Sequence, residues 1–497
     1  MTPPTTARRV GHLLGGTAIA CLMAMVTVLP AQADPGMGGM GSITVHKYEK
    51  PADGSDFGKA DGRELNVPGS AKPLANVGFK ACWIQGIDLS KSPDWLRLEK
   101  LTATQSAAGQ APVVSEGGSA LTISCGAEVK TGADGAASLS MLNADRAYVV
   151  YESTPPSNAT TDSVTKPTIL SVPYPGTDAA PGWNYSPHIY PKNVLVGSGA
   201  AKNGVIIGNE ISYDVVVPIN SLGKDANNQE LKYTEFKIED TLSATLNPKT
   251  TSVKLRNASD VEVSLTQSTD YTLGVSGQKV TLTLLTPGLA KLDANHGGKL
   301  VLTIGAEAIA DGTSANTAKV TINGGGSDIT DPEPENVYKD AHILKHAQNR
   351  GAASTTPLAG AEFELYTQKN GATIASCPAT AVDAVNDPNL YKVDEEFKSG
   401  VNGLTANVVL AQGDYCVYET VIPVGYKSAP VTKWTVTANG AELKLVNNQV
   451  GTDTGDLPAL PITGAAGQVL MVAGGVALLS VAGGLLLMRR KRSAASL

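Results

Sequence analysis

The sequence predicts an all-β protein built as tandem sandwiches, and three observations carry that reading. Its 497 residues include 52 Gly and 29 Pro but only 5% aromatics, the punctuation of many short strands separated by turns. Period-two alternation of apolar and polar residues recurs, as in Ile43-Thr44-Val45-His46 and Ile211-Ser212-Tyr213-Asp214-Val215-Val216-Val217. Helical periodicity is almost absent between two apolar termini, and the ~420 residues between them, at about 100 to 160 per sandwich, make three domains.

The termini assign a compartment. Arg8-Arg9, an apolar run from about Leu13 to Leu29 and Ala31-Gln32-Ala33 form a signal peptide over residues 1–33, so the mature chain is expected to begin near Asp34 and to be exported. At the other end, Leu460-Pro461-Ile462-Thr463-Gly464 precedes 24 uncharged residues, Ala465 to Met488, and then Arg489-Arg490-Lys491-Arg492. A helix of that length crosses the roughly 30 Å hydrocarbon core, and the basic cluster holds the C-terminus in the cytoplasm.

Cysteine usage follows from export. Cys21 falls in the signal segment, leaving Cys82, Cys125, Cys377 and Cys416. An even number in an exported chain points to disulfides. Of the three possible pairings, Cys82 with Cys125 and Cys377 with Cys416 keeps each bridge inside one module. Each then closes a loop of about 40 residues, worth roughly 4 kcal/mol on the chain-entropy model.

Two small-residue segments mark boundaries: Gly197-Ser198-Gly199-Ala200-Ala201, and Gly324-Gly325-Gly326-Ser327 followed by Asp331-Pro332-Glu333-Pro334-Glu335. The expected domains are 34–197, 198–328 and 335–450, with a polar tether and a terminal signal over 456–497. A net charge of -7 with both signs dispersed argues against nucleic acid as a partner. Six scattered His without CxxC or HExxH give no sequence case for a transition-metal site, while oxygen-ligated calcium in acidic loops stays open. No Ser-His-Asp order or phosphate loop stands out, so neither an enzyme nor a cofactor is expected.

The C-terminal motif, apolar span and basic cluster together resemble the cell-wall sorting signal of Gram-positive surface proteins. The resemblance implies that a sortase cysteine attacks the Thr463 carbonyl, releases Gly464 and passes the acyl group to an amine. Pro461 fixes a bend that presents the scissile bond. Trp183-Asn184-Tyr185-Ser186-Pro187-His188-Ile189-Tyr190-Pro191-Lys192-Asn193 resembles the pilin motif of sortase-assembled shaft pilins, which implies that Lys192 is the amine joined to Thr463 of the next subunit. Such an attack needs the neutral amine, so the site or the sortase must disfavour the ammonium form. Pro187 stands where an apolar strand residue is commoner, and it suggests a bulge or an edge strand.

Tyr415-Cys416-Val417-Tyr418-Glu419-Thr420-Val421-Ile422-Pro423-Val424-Gly425-Tyr426 resembles the E-box of these pilins and of collagen-adhesin B-type domains. By that resemblance Glu419 promotes an isopeptide bond between Lys345 on the first strand and Asn447 on the last, with Asn448 the alternative if the register slips by one. Burial is the expected driving force: it favours a protonated acid, which polarises the amide, and a neutral, nucleophilic amine. In the middle domain Phe236-Lys237-Ile238-Glu239-Asp240-Thr241-Leu242 and Ser314-Ala315-Asn316-Thr317-Ala318 resemble the family's aspartate and closing-strand segments. They nominate Asp240 and Asn316, with Lys202 as the lysine on the opening strand. The first domain shows only a partial echo, Lys47 and Glu152. No asparagine on a clear closing strand completes it, because Lys192 lies there, and no isopeptide bond is predicted in it.

Taken together, the resemblance implies a major shaft pilin of a Gram-positive, actinobacterial fimbria made of three immunoglobulin-like sandwiches of collagen-adhesin type. Its implied partners are a pilin-specific sortase, further copies of itself, a tip pilin, peptidoglycan through a housekeeping sortase, and a host receptor. A monomeric wall-anchored adhesin is the alternative; it would keep LPITG and the E-box but have no use for Lys192.

Overall fold

The computed structural model describes residues 34–451 except 59, 162–165, 178–179, 225–228 and 331–336. The signal segment, the LPITG pentapeptide and the apolar tail lie outside the described residues. Within them the chain is almost entirely strand, and the strands fall into three successive pairs of packed sheets.

In the first pair, Met40–His46 runs antiparallel to Ala136–Asn143 and parallel to His188–Ile189. The opposite sheet centres on Gly78–Asp88, flanked by Arg146–Thr154 and by Ile123–Cys125. Alternation along these strands sends Ile43, Val45, Phe79, Ala81, Leu139, Tyr148 and Val150 into one core. His188–Ile189 lies at a sheet edge directly after Pro187, which fits the edge strand that proline suggests.

The middle sandwich faces two five-stranded antiparallel sheets. Ala201–Ile207 opens the first as an edge strand, with Glu210–Pro218 beside it and Lys299–Ala308 next at the centre; the second has Phe236–Thr241 at its centre and Thr317–Ile322 alongside. Strand Lys299–Ala308 alternates strictly, every second residue being buried. The third pair sets Val337–Gln348 against Ala441–Asn448 in parallel, opposite a sheet of Glu362–Thr367, Gly413–Val421 and Thr432–Val436. The first and last strands of the first and third sandwiches thus run side by side in the same direction, which the intervening chain must cross the sandwich to achieve.

The sandwiches pack end on. The middle core takes in Val194 and Val196 from upstream and Tyr338 and Ala411 from downstream. Asn209 Nδ2 donates to Glu395 Oε1 at 2.6 Å, and the Ile206 amide donates to Asn370 Oδ1 at 2.8 Å. Both disulfides are present in the local pairing: Cys82–Cys125 joins directly opposed residues of neighbouring strands, and Cys377–Cys416 ties the loop after Glu362–Thr367 to Gly413–Val421. Among the described residues no helix is long and apolar enough to cross a membrane.

Candidate cross-linking and polymerisation sites

The parallel pairing in the third sandwich brings Lys345, Glu419 and Asn447 together. Val337–Gln348 and Ala441–Asn448 are in register with Ala347 opposite Asn447, so the asparagine lies two residues beyond the lysine on the same, core-facing side. The side chains of Lys345 and Glu419 are fully buried, as is Asn447, whereas Asn448 is exposed. Lys345 Nζ donates to Asn447 Oδ1 at 2.5 Å and stands 3.2 Å from Glu419 Oε1, to which Asn447 Nδ2 donates at 2.7 Å. Burial lowers the Lys345 pKa, and the Glu419 carboxylate opposes that shift without cancelling it. The amine is therefore held at the carbonyl oxygen of the amide it would attack, and the amide nitrogen that would leave faces the acid.

The middle sandwich repeats one of these contacts, that of the lysine with the acid. Lys202 and Asp240 are fully buried, with Lys202 Nζ 2.5 Å from Asp240 Oδ2. Asp240 lies opposite Ala318, two residues along from Asn316, which therefore faces the same interior diagonally across the strands. Asn316 is 5% exposed, and neither of its amide atoms nor Asp240 Oδ1 has a hydrogen-bond partner among the described residues. Buried polar atoms left this way are costly, which marks the cluster as something other than a settled network.

The first sandwich corrects the expectation that no asparagine completes its set. Lys47 and Glu152 are fully buried and form an ion pair at 2.9 Å, and Asn193, the residue after Lys192, is also fully buried. The two-residue strand Lys192–Asn193 pairs in parallel with Tyr48–Glu49, and Asn193 lies opposite Glu49. That is two residues beyond Lys47, the same register as Asn447 to Lys345. The correspondence extends outward. Glu152 lies opposite Phe79 as Glu419 lies opposite Phe363, and each lysine ammonium sits over that ring, at 5.9 and 5.3 Å.

The lysine backbones are held alike as well. The Lys47 amide donates to Gly135 O and its carbonyl accepts from Leu74; Lys345 does the same with Gly403 and Leu358. Both glycines have positive φ, and a Cβ on either would meet the lysine carbonyl oxygen at 2.4 or 2.3 Å, so no other residue fits. Burial brings the Lys47 pKa down to about 8 against the pull of Glu152.

Lys192 points the other way from Asn193. Its Nζ lies 3.2 Å from Asp56 Oδ1 and 4.5 Å from the centre of the Phe57 ring, both on the loop after Tyr48–Glu49, and its side chain is only 12% exposed. Burial lowers its pKa, Asp56 opposes the shift, and Lys50 adds to it. A cleft of about 560 Å³ opens beside this loop, lined by Asp56, Phe57, Pro68 and, from the middle sandwich, Ser198 and Pro218.

Comparisons with known proteins place the chain. The Gram-positive pilin subunit D1 N-terminal domain matches residues 39–194, a prealbumin-like fold domain matches 347–449, and the LPXTG cell wall anchor motif matches 452–494. The chain is 30% identical to fimbrial subunit type 2 of Actinomyces naeslundii, over 91% of this chain and 90% of that one. It belongs to the Gram-positive fimbrial subunits. A second relative, fimbrial subunit type 1 of Actinomyces viscosus, is 25% identical over 96% of each chain. The fold of the full-length major pilin SpaD from Corynebacterium diphtheriae superimposes with a TM-score of 0.53 at 23% identity, covering 83% of this chain and 98% of that one.

This pilin is accordingly an exported structural protein of the cell surface, a sortase substrate held at the wall through its LPXTG signal. Sequence reasoning passed over Asn193, Phe79 and Phe363, although a repeat could have exposed them. Pro73-Leu74-Ala75 precedes Phe79 with the spacing at which Pro357-Leu358-Ala359 precedes Phe363. Aligning those segments aligns the two lysines' partners.

Proposed function

We propose that this pilin is a shaft subunit whose polymer is covalent between subunits and within each sandwich. Between subunits, a sortase cleaves Thr463–Gly464 and Lys192 Nζ displaces the sortase thiol from the Thr463 carbonyl, forming an amide. Within them, Lys47 with Asn193, Lys202 with Asn316, and Lys345 with Asn447 form isopeptide bonds promoted by Glu152, Asp240 and Glu419. In each, the Nζ–Cγ bond forms, the Cγ–Nδ2 bond breaks, and the carboxyl relays a proton from the amine to the departing nitrogen, which leaves as ammonia.

The observation that carries this reading is the repeated placement, in the first and third sandwiches, of a buried lysine, a buried glutamate across from an aromatic ring, and a buried asparagine two residues along the adjacent parallel strand. Because the bonds of the first and third sandwiches join first and last strands, tension passes through them and bypasses the hydrogen-bonded ladder.

Intact mass of the soluble mature region tests the internal bonds: three of them remove about 51 Da, one ammonia each, beyond the roughly 4 Da lost to two disulfides. A mass equal to the disulfide-corrected sequence overturns them. Immunoblots of wall extracts boiled in SDS with reductant test the polymer. A high-mass ladder that collapses to monomer in Lys192→Ala is the expected result, and a single monomer band in the wild type would instead favour the anchored adhesin.

A further inference from the structure

His46 and His188 are 142 residues apart in sequence, yet their Nε2 and Nδ1 atoms lie 2.8 Å apart. Parallel pairing sets Thr44 opposite His188, so His46, at the end of its strand, reaches diagonally across to the pilin motif. A carboxylate oxygen of Glu64 completes a group of three donors that lie within 4.8 Å of one another.

The surroundings hold these donors in place. The Gly62 carbonyl accepts from the His188 amide at 3.0 Å and from Asn184 Nδ2 at 2.7 Å, while the Leu65 amide donates to the Tyr190 hydroxyl at 2.6 Å. Glu64 is thus pinned on both sides against the strand that bears His188. The Tyr190 ring lies parallel to that of His46, with centroids 4.8 Å apart, and fixes the imidazole plane.

We propose that His46, Glu64 and His188 bind a divalent transition-metal ion of the zinc class, with a fourth position open to water. Two imidazole nitrogens and one carboxylate oxygen are the donor set such ions take, and three protein ligands leave a tetrahedral ion one open site. Ligands about 2.0–2.1 Å from zinc lie roughly 3.3 Å from one another. Seating the ion therefore requires the two nitrogens to part by about half an ångström and the exposed Glu64 carboxylate to turn inward.

The ion would staple the loop around Glu64 and the strand of His188 to Met40–His46, where the parallel ladder is only two residue pairs long. Lys192 follows four residues after His188, so the metal would stiffen the segment that presents the acceptor amine. This inference does not depend on any cross-link.

The test is a calorimetric titration of Zn²⁺ into the metal-stripped mature chain in detergent, beside Co²⁺ absorption spectra. One saturable site is expected, with affinity lowered about tenfold or more in His188→Ala and in Glu64→Gln. The tetrahedral Co²⁺ bands should weaken or shift in Glu64→Gln, a change at an exposed position that leaves the strand pairing intact. Absence of saturable zinc binding, or binding unchanged in both variants, overturns the proposal and leaves a hydrogen-bonded histidine pair.

Discussion

Lys192 and Asn193 are consecutive residues of one two-residue strand and serve opposite faces of it: Lys192 reaches outward to Asp56 and Phe57, while Asn193 is completely buried on the side of Lys47. Strand alternation alone separates the two chemistries. They should therefore come apart by mutation. Lys192→Ala is expected to abolish the ladder while keeping the full mass deficit. Asn193→Ala should keep the acceptor amine and restore one ammonia, about 17 Da. If Lys192→Ala also restores mass, the two functions are coupled and the assignment of Asn193 to Lys47 fails.

The rate of the Lys47 bond should follow the neutral amine. With a pKa of about 8, Lys47 is roughly one-tenth neutral at pH 7 and half neutral at pH 8, so bond formation should accelerate with rising pH and level off above it. Protein recovered from inclusion bodies and folded at pH 6 starts without the bond. Stepping it to pH 7, 8 and 9 and following the loss of ammonia by mass gives the profile. A rate independent of pH across this range would show that amine protonation does not limit the reaction.

Stability should respond strongly in the third sandwich. Lys345 and Asn447 are 102 residues apart, so their bond closes a loop whose removal costs roughly 4–5 kcal/mol on the chain-entropy model. Glu419→Gln keeps the shape of the promoting side chain and is expected to block the bond. Calorimetry should show the melting of that sandwich lowered by about 15 °C or more, and the intact mass should rise by one ammonia. An unchanged mass would remove Glu419 from its promoting role.

How much of this was legible in the sequence depends on which contacts are local. The E-box and the middle segment around Asp240 are short and contiguous, so their acids could be read off directly, and the disulfide pairing followed from keeping each loop within one module. Asn193 escaped because parallel pairing of first and last strands is a long-range property, and because the more conspicuous Lys192 occupied the same strand. His46 and His188 escaped for the same reason: nothing in their spacing announces a contact that only the fold creates. Tyr338 and Ala411 belong to the third stretch of sequence yet pack into the middle core, which periodicity within a strand cannot foretell.

Asp56 is the last element that bears on assembly. It holds the Lys192 ammonium by charge, opposing the lowering of its pKa by burial, and with Phe57 it covers the amine that, on the proposed function, would attack the acyl-enzyme. Removing the carboxylate should shift Lys192 further toward the neutral form and uncover it. Asp56→Ala is therefore expected to raise the initial rate of sortase-catalysed transfer of an LPITG peptide onto Lys192 about threefold or more at pH 7. The gain should shrink at pH 9, where the wild-type amine is already more often neutral, and Asp56→Asn should reproduce it because the charge, not the bulk, is what opposes deprotonation. A slower transfer in both variants at both pH values would instead make Asp56 a positioning residue that aims the amine at the acyl carbon.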